Sequence, residues 1–446
     1  MKENTTKARV PGGMRDLLPE QLRQRDWITQ KVISVYEDFG FVPIETPTIE
    51  FKETLVGQGT DFNIFKIDSK TEGDPLALRF DLTVPLARVV CQYPEIPKPF
   101  KRYQFGHVFR GEKPQAGRYR EFVQLDADIV GSSTPYADLE IVLIMHEVMK
   151  RLGIDGYKIR FNNRKILNAL PEYANFERSK NHDVMRILDK IDKIGEDAVF
   201  AALREDKELF MTPYNCERIK KYLDFSQMDN TTILDFMKNE FSGITTAEEG
   251  IAELELISLG LDQAGITRDK WKIDPSIARG LAYYTGPVFE TFLDDLPSIG
   301  SIFSGGRYDN LTERFSDIAF PATGASVGVD RLLTALIELK KLPKFNQSST
   351  TVLVAPLGQQ FQSKAMELVT MLRQENISSE MYLGEVLQPS TQLGYASRKG
   401  IPFVAILGEN EITGNTISLK DMSTKIQVTV NEKEMLDILQ HHSYHP

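Results

Sequence analysis

The 446-residue chain is short of several things, and each shortage excludes something. It has two cysteines, Cys91 and Cys216, far apart and without CxxC spacing. That rules out a cysteine-rich zinc site, gives no disulfide framework and suits a reducing compartment. Both read as buried thiols rather than nucleophiles. No apolar run approaches the ~20 residues of a membrane span. The opening MKENTTKARVPGGMRD lacks the apolar centre of a signal peptide, so the expected address is the cytoplasm, with no membrane partner. Basic residues are outnumbered, 53 to 63 acidic ones. A net charge of −10 argues against a general nucleic-acid coater, although a local basic patch can still bind RNA. The terminal HHSYH reads as a frayed tail, and no protein metal site is expected.

What is present is ordinary globular material, 41% hydrophobic and 26% charged. The length suggests roughly two to four domains. After the turn-rich PGGMRDLLP, Leu22, Ile28, Val32, Val35, Tyr36 and Phe39 recur at helical steps up to Gly40. FVPIETPTIE is strand-like and broken by prolines, which suits an edge or interface. LALRFDLTV reads as a strand with Arg79, Asp81 and Thr83 on one face. Residues 135–152 read as a helix and YKIRFNN as a strand. From about Tyr173 to Gly265 the pattern is charged and helical, and strand patterns resume at Trp271. KLPKFNQSS is linker-like, and beyond it β and α patterns alternate, predicting a small α/β domain with a parallel sheet.

The densest chemistry lies in Arg110–Gly131, RGEKPQAGRYREFVQLDADIVG, which reads as the loop and second strand of a hairpin. Val123, Leu125, Ala127 and Ile129 share one face, and Gln124, Asp126 and Asp128 the other. In the incoming strand Arg102, Gln104 and Arg110 share a side opposite Tyr103, Phe105 and Phe109. A face bearing guanidinium groups and carboxylates can hold an anion and an amine together, as adenylate formation requires.

These residues belong to a larger pattern. GGMRDLLP with the Pro47 strand, RFDLTVPLAR, FRGEKPQAGRYREFVQLDAD, ARGLAYYTGPVFE, SGGRYDNL and GASVGVDRL together resemble the histidyl-tRNA synthetases, a class II aminoacyl-tRNA synthetase family. Six motifs in the family's order span nearly the whole chain. The resemblance implies an α+β catalytic domain with an antiparallel sheet at 1–340, carrying a helical insertion at 173–265. A C-terminal α/β anticodon-binding domain follows at 350–446. It also implies a homodimer that uses ATP with substrate-borne Mg2+, L-histidine and tRNA-His, with no tightly bound cofactor.

Residue by residue, the resemblance puts Arg110 on the α-phosphate, Glu112 on the adenine side, Arg331 on the γ-phosphate and Arg279 opposite Arg110 during attack. Planar guanidinium groups suit phosphate oxygens on which charge develops. Asp128 and Tyr284 would address the imidazole, with Tyr283 beside them or simply a strand aromatic. Asp81, Thr83 and Gln124 would address the α-amino group. Gly305, Gly306, Gly324 and Gly328 either let backbone approach adenine and ribose or mark turns and bulges. Lys113 and Gln115 would meet the tRNA acceptor end. Arg398, Lys399, Lys420 and Lys425 would be phosphate contacts or solvated charges.

The chain departs from the pattern in places. The signature commonly reads RGLDYYTG, but residue 282 is alanine, and Lys113 stands where many bacterial members carry arginine. A rival reading is a catalytically silent paralogue that binds histidine and regulates a partner enzyme. Such relatives lack the anticodon domain and lose arginines of the ATP site; here Arg110, Arg279, Arg331 and residues 350–446 are all present.

Overall fold

A computed structural model describes residues 6–56, 64–68, 73–114, 117–277, 283–345 and 348–442. The chain divides into two compact units, Met1–Asp16 with Arg25–Leu342, and Leu17–Gln24 with Pro343–Pro446. No described helix is long and apolar enough to cross a membrane.

The strands of the first unit are β1 (Val42–Pro43), β2 (Ile49–Phe51), β3 (Lys66–Ile67), β4 (Leu76–Leu78), β5 (Phe100–Phe109) and β6 (Glu121–Val130). They continue as β7 (Tyr157–Asn163), β8 (Trp271–Ile273), β9 (Pro287–Leu293), β10 (Phe303–Arg307) and β11 (Ala322–Gly328). Eight of them form one sheet in the order β1-β5-β6-β11-β10-β9-β7-β8; β2, β4 and β3 form a small second sheet. The large sheet is antiparallel except at its rims, where β1 runs parallel to β5 and β8 to β7. The proline-broken strand β1 sits at the edge, where a missing N–H costs no ladder bond.

The alternation in β6 decides which face is covered. Val123, Leu125, Ala127 and Ile129 join one apolar core with Ile28, Val32 and Val35 of the helix Pro19–Asp38 and with Ile141, Val142 and Met145 of the helix Pro135–Arg151. The second helix starts where its sequence says it should. Thr134 caps it by accepting from the Tyr136 N–H, Pro135 fills the first turn, and Lys150 and Arg151 end it. The opposite face of β6 is left for polar side chains.

One expected strand breaks. LALRFDLTV is extended only over Leu76–Leu78, and Thr83–Gln92 is a helix. Pro85 cannot donate to a ladder but is harmless in a first turn, and Asp81 Oδ1 accepts the Val84 N–H at 3.1 Å. Arg79 therefore parts from Asp81 and Thr83 and is spent on the His107 and Thr46 carbonyls. Residues 173–265 hold helices and no strand, ending in Thr245–Gln263, which packs on the helices Pro135–Arg151 and Arg164–Ala174.

In the second unit, β12 (Val352–Pro356), β13 (Ser379–Met381) and β14 (Phe403–Leu407) are parallel, with β12 in the middle. The expected parallel sheet is in fact mixed, because β15 (Ile417–Asp421) and β16 (Gln427–Val430) add an antiparallel hairpin beside β14. Asp421 turns that hairpin by accepting the Ser423 and Thr424 N–H groups. The runs VLVAP and FVAIL are buried on both faces, as parallel strands between helices must be. Lys399 is paired within the unit: Glu380 at 3.0 Å and the Tyr395 hydroxyl at 2.9 Å engage its ammonium.

Candidate active site

Strand register assembles the site. Directly opposed residues run across the sheet as Gln104, Asp126, Ser326, Ser304 and Glu290, one from each of β5, β6, β11, β10 and β9. The neighbouring row reads Arg102, Asp128, Gly324 and Gly306. Side chains two apart on a strand share a face, so both rows point the same way. Asp128 lies across Gly324. A Cβ at residue 324 would stand 2.0 Å from Asp128 Oδ1, so only glycine leaves the carboxylate its place.

An inner cavity of about 350 Å³ opens above these rows. Carboxylates and phenols dominate its wall: Asp81, Asp126, Asp128, Glu290, Tyr283, Tyr284 and Tyr308. Asp128 pairs with Arg102 at 2.8 Å and accepts the Tyr308 hydroxyl. Burial raises the Asp81 carboxyl to about 6, opposed by the Val84 N–H and by Arg110 and Arg102. Burial likewise raises Asp126 and Asp128, with Arg102 pulling both back. Acceptors so placed can take N–H donors and, when ionised, a cation.

An outer cavity of about 240 Å³ adjoins it, with the opposite character. Arg110, Arg118 and Arg331 line it with Glu112, Asp330, the Phe122 and Tyr119 rings and Gly328. The Arg110 guanidinium lies 5.1 Å from the centre of the Phe122 ring, and its Nε donates to the Phe80 carbonyl at 3.1 Å. Arg331 donates to the Ser301 carbonyl at 2.5 Å. Arg110, Gln124, Ser304 and Ser326 line both cavities and form the seam between them.

The structure brings Asp81, Thr83, Gln124, Asp128, Tyr283 and Tyr284 into the inner cavity and Glu112, Gly328 and Arg331 into the outer one. Arg279, Ala282 and Gln115 lie outside the described residues. Lys113 is exposed on the loop between β5 and β6. Tyr283 is no strand aromatic, since β9 begins at Pro287; it meets Tyr284 edge-on at 4.6 Å and Tyr308 at 6.2 Å. The glycines also need correcting. Gly305, Gly306 and Gly324 sit in paired strands, neither turns nor bulges, and are crowded by protein atoms; at Gly328 a Cβ would meet only ordinary contacts, the nearest Arg331 Cβ at 3.7 Å.

Sequence reasoning missed Tyr308, Arg118, Tyr119 and Glu290 in the cavity walls. Tyr308 lies within SGGRYDNL, a segment valued only for its glycines. The role of GGMRD was missed as well. Arg15 pairs with Asp330 at 2.5 Å and stacks on Tyr119 at 3.9 Å, while Asp330 also accepts the Val123 N–H at 2.6 Å. The opening motif thus buttresses the back of the outer cavity.

The same two-part architecture appears in known proteins. The family model for histidyl-tRNA synthetase matches residues 13–332, and that for an anticodon binding domain matches residues 351–442. A histidine–tRNA ligase of Wolinella succinogenes is 42% identical over 419 residues, 93% of each chain. One of Helicobacter hepaticus is 40% identical over 429 residues, covering 94% of this chain and 95% of its own. The crystal structure of histidyl-tRNA synthetase from Nostoc sp. PCC 7120 superposes with a TM-score of 0.84 at 30% identity, over 98% of this chain and all of that one. An ATP phosphoribosyltransferase regulatory subunit/histidyl-tRNA synthetase from Bacillus halodurans shares the fold at a TM-score of 0.73 and 24% identity, over 91% of this chain. With an acid-lined cavity beside a cation-lined one, and kinship along nearly its full length, the chain belongs to the histidyl-tRNA synthetase family.

Proposed function

We propose that the chain is a histidine–tRNA ligase that joins L-histidine to ATP and then passes the histidyl group to tRNA-His. One observation carries the reading: an acid-lined and a cation-lined cavity meet at a seam that contains Arg110. Histidine enters the inner cavity with its α-ammonium toward Asp81, Thr83 and Gln124 and its ring toward Asp128 and Tyr284. Tyr283 and Tyr308 close around the ring. ATP takes the outer cavity, with the α-phosphate on Arg110, the γ-phosphate on Arg331, Glu112 on the adenine side and backbone approaching at Gly328. Mg2+ arrives on the phosphates, and the Glu112 carboxylate is the protein oxygen suited to so hard a cation.

A histidine carboxylate oxygen attacks the α-phosphorus, and the bond to the bridging oxygen of pyrophosphate breaks. Charge building on the phosphate oxygens is met by Arg110 and, by family resemblance, Arg279. Placing both reactants at one seam replaces a bimolecular encounter with an oriented one. The terminal adenosine hydroxyl of tRNA then attacks the histidyl carbonyl and AMP leaves. A phosphate oxygen of the adenylate is our assignment for the proton acceptor.

Residues 1–340, with their helical segment 173–265, form the catalytic domain in this reading, and 350–446 read the anticodon. Lys113 and Gln115 meet the acceptor end. Exposed Val42, Ile49 and Phe51 support a homodimer built on this edge of the unit. The working address is the cytoplasm.

Histidine-dependent ATP–pyrophosphate exchange, followed by charging of tRNA-His, tests the reading. Both activities are expected. Bound histidine without exchange would instead make the chain a regulatory relative, against which Arg110, Arg331 and residues 351–442 speak. Exchange without charging would confine the failure to RNA recognition.

A further inference from the structure

We infer that Arg102 is a positioning residue for histidine recognition: walled off from the cavity, it fixes Asp128 and the Asp81–Thr83 turn at one separation. The inference rests on the ligase reading above. Arg102 stands outside the described lining of both cavities, and its side chain is 0% exposed. From β5 it faces Asp128 directly across the ladder and pairs with it at 2.8 Å. Its Nη2 also donates to the Leu82 carbonyl at 3.2 Å. Leu82 lies between Asp81 and Thr83, where the chain turns into the helix Thr83–Gln92.

One planar guanidinium therefore ties the ring end of the histidine cavity to its amino end. Nε and Nη1 donate to nothing among the described residues, so Asp128 and Leu82 are its fixed points. Arg102 is also the countercharge common to Asp81, Asp126 and Asp128. Without it, three buried carboxylates would crowd one cavity, and like charges so close do not all stay ionised. A protonated Asp128 would present a donor to the ring in place of an acceptor. Both contacts run through Nη2, which the rigid guanidinium plane holds between the two acceptors; lysine keeps the charge but carries it on a flexible stem that does not fix that position.

Exchange kinetics on the full-length protein test this. Wild-type exchange tests the ligase reading by itself, so a failure there stands apart from any effect of the variants. For Arg102→Met the expected result is a histidine KM raised about 30-fold or more, with the ATP KM within about 2-fold. Arg102→Lys is expected between the two, at about 5- to 10-fold in histidine KM. A histidine KM within about 3-fold of wild type in the methionine variant would overturn the inference, as would histidine and ATP constants rising together. If the methionine variant does not fold, the lysine variant decides: a rise confined to histidine supports the assignment, and an unchanged histidine KM overturns it.

Discussion

The inner and outer cavities share a wall yet are built on different principles. The inner one is set by strand register, with Arg102, Asp128 and Asp126 nearly sealed from solvent and fixed by ion pair, hydrogen bond and a glycine that leaves them room. The outer one gathers its charges from a hairpin loop and the start of a helix, with Glu112 and Arg118 exposed. A buried site discriminates because a wrong ligand leaves polar groups unpaired, whereas an open cationic site attracts phosphate with far less demand on shape. On the proposed reading, selectivity for the amino acid belongs to the inner cavity and ATP capture to the outer.

The most severe way to break this contrast is Asp128→Ala. It removes an acceptor and strands the buried Arg102, so histidine-dependent exchange should fall about 1,000-fold or more. Stability should drop by about 3–5 kcal/mol in urea titration. A preserved exchange rate would remove Asp128 from ring recognition. Next comes Arg331→Ala, expected to cost about 100-fold in kcat/KM for ATP while calorimetric histidine affinity stays unchanged. Histidine affinity falling in step with it would erase the division of labour.

Titration sharpens the contrast further. Asp81 is held near 6 in the folded chain against an ordinary 3.8, so its ionised form costs stability. That cost is full above about 6 and is relieved as pH falls through 6 toward 3.8. Binding of an ammonium runs the other way, because it needs the carboxylate ionised. Histidine affinity should therefore weaken by up to about 10-fold per pH unit below 6, beyond the effect of the ligand's own ring. Asp81→Asn should bind weakly and show a shallower slope in calorimetry at several pH values, with Asp126 and Asp128 keeping their share; an unchanged slope would exonerate Asp81. The smallest effect is expected in the second unit. Lys399→Ala should leave exchange untouched and alter the tRNA KM by less than about 3-fold, since Glu380 and Tyr395 already hold that ammonium.

How much of this was legible depended on sequence distance. The β5–β6 hairpin was readable because its signal is local, a period of two sustained over ten residues with a loop between. The helix Pro135–Arg151 carried its own cap, first-turn proline and basic end. The same alternation misled at LALRFDLTV, where Pro85 and the Asp81 cap outweighed it. In the second unit, apolar runs announced the central strands, but nothing so plain announced the polar, exposed β16.

By itself, then, the sequence determined the order of elements, the apolar and polar faces of the hairpin, and six motifs that name the family. Tertiary structure decided which of those residues meet. Asp128 reaches Tyr308, 180 residues on, and faces Gly324 through the β6–β11 register; Arg102 finds Leu82 only because a predicted strand becomes a helix start. Local patterns report the covalent neighbourhood. A buried cation's partners are set by long-range strand pairing and by the need to satisfy charge away from water, and neither leaves a mark in nearby residues.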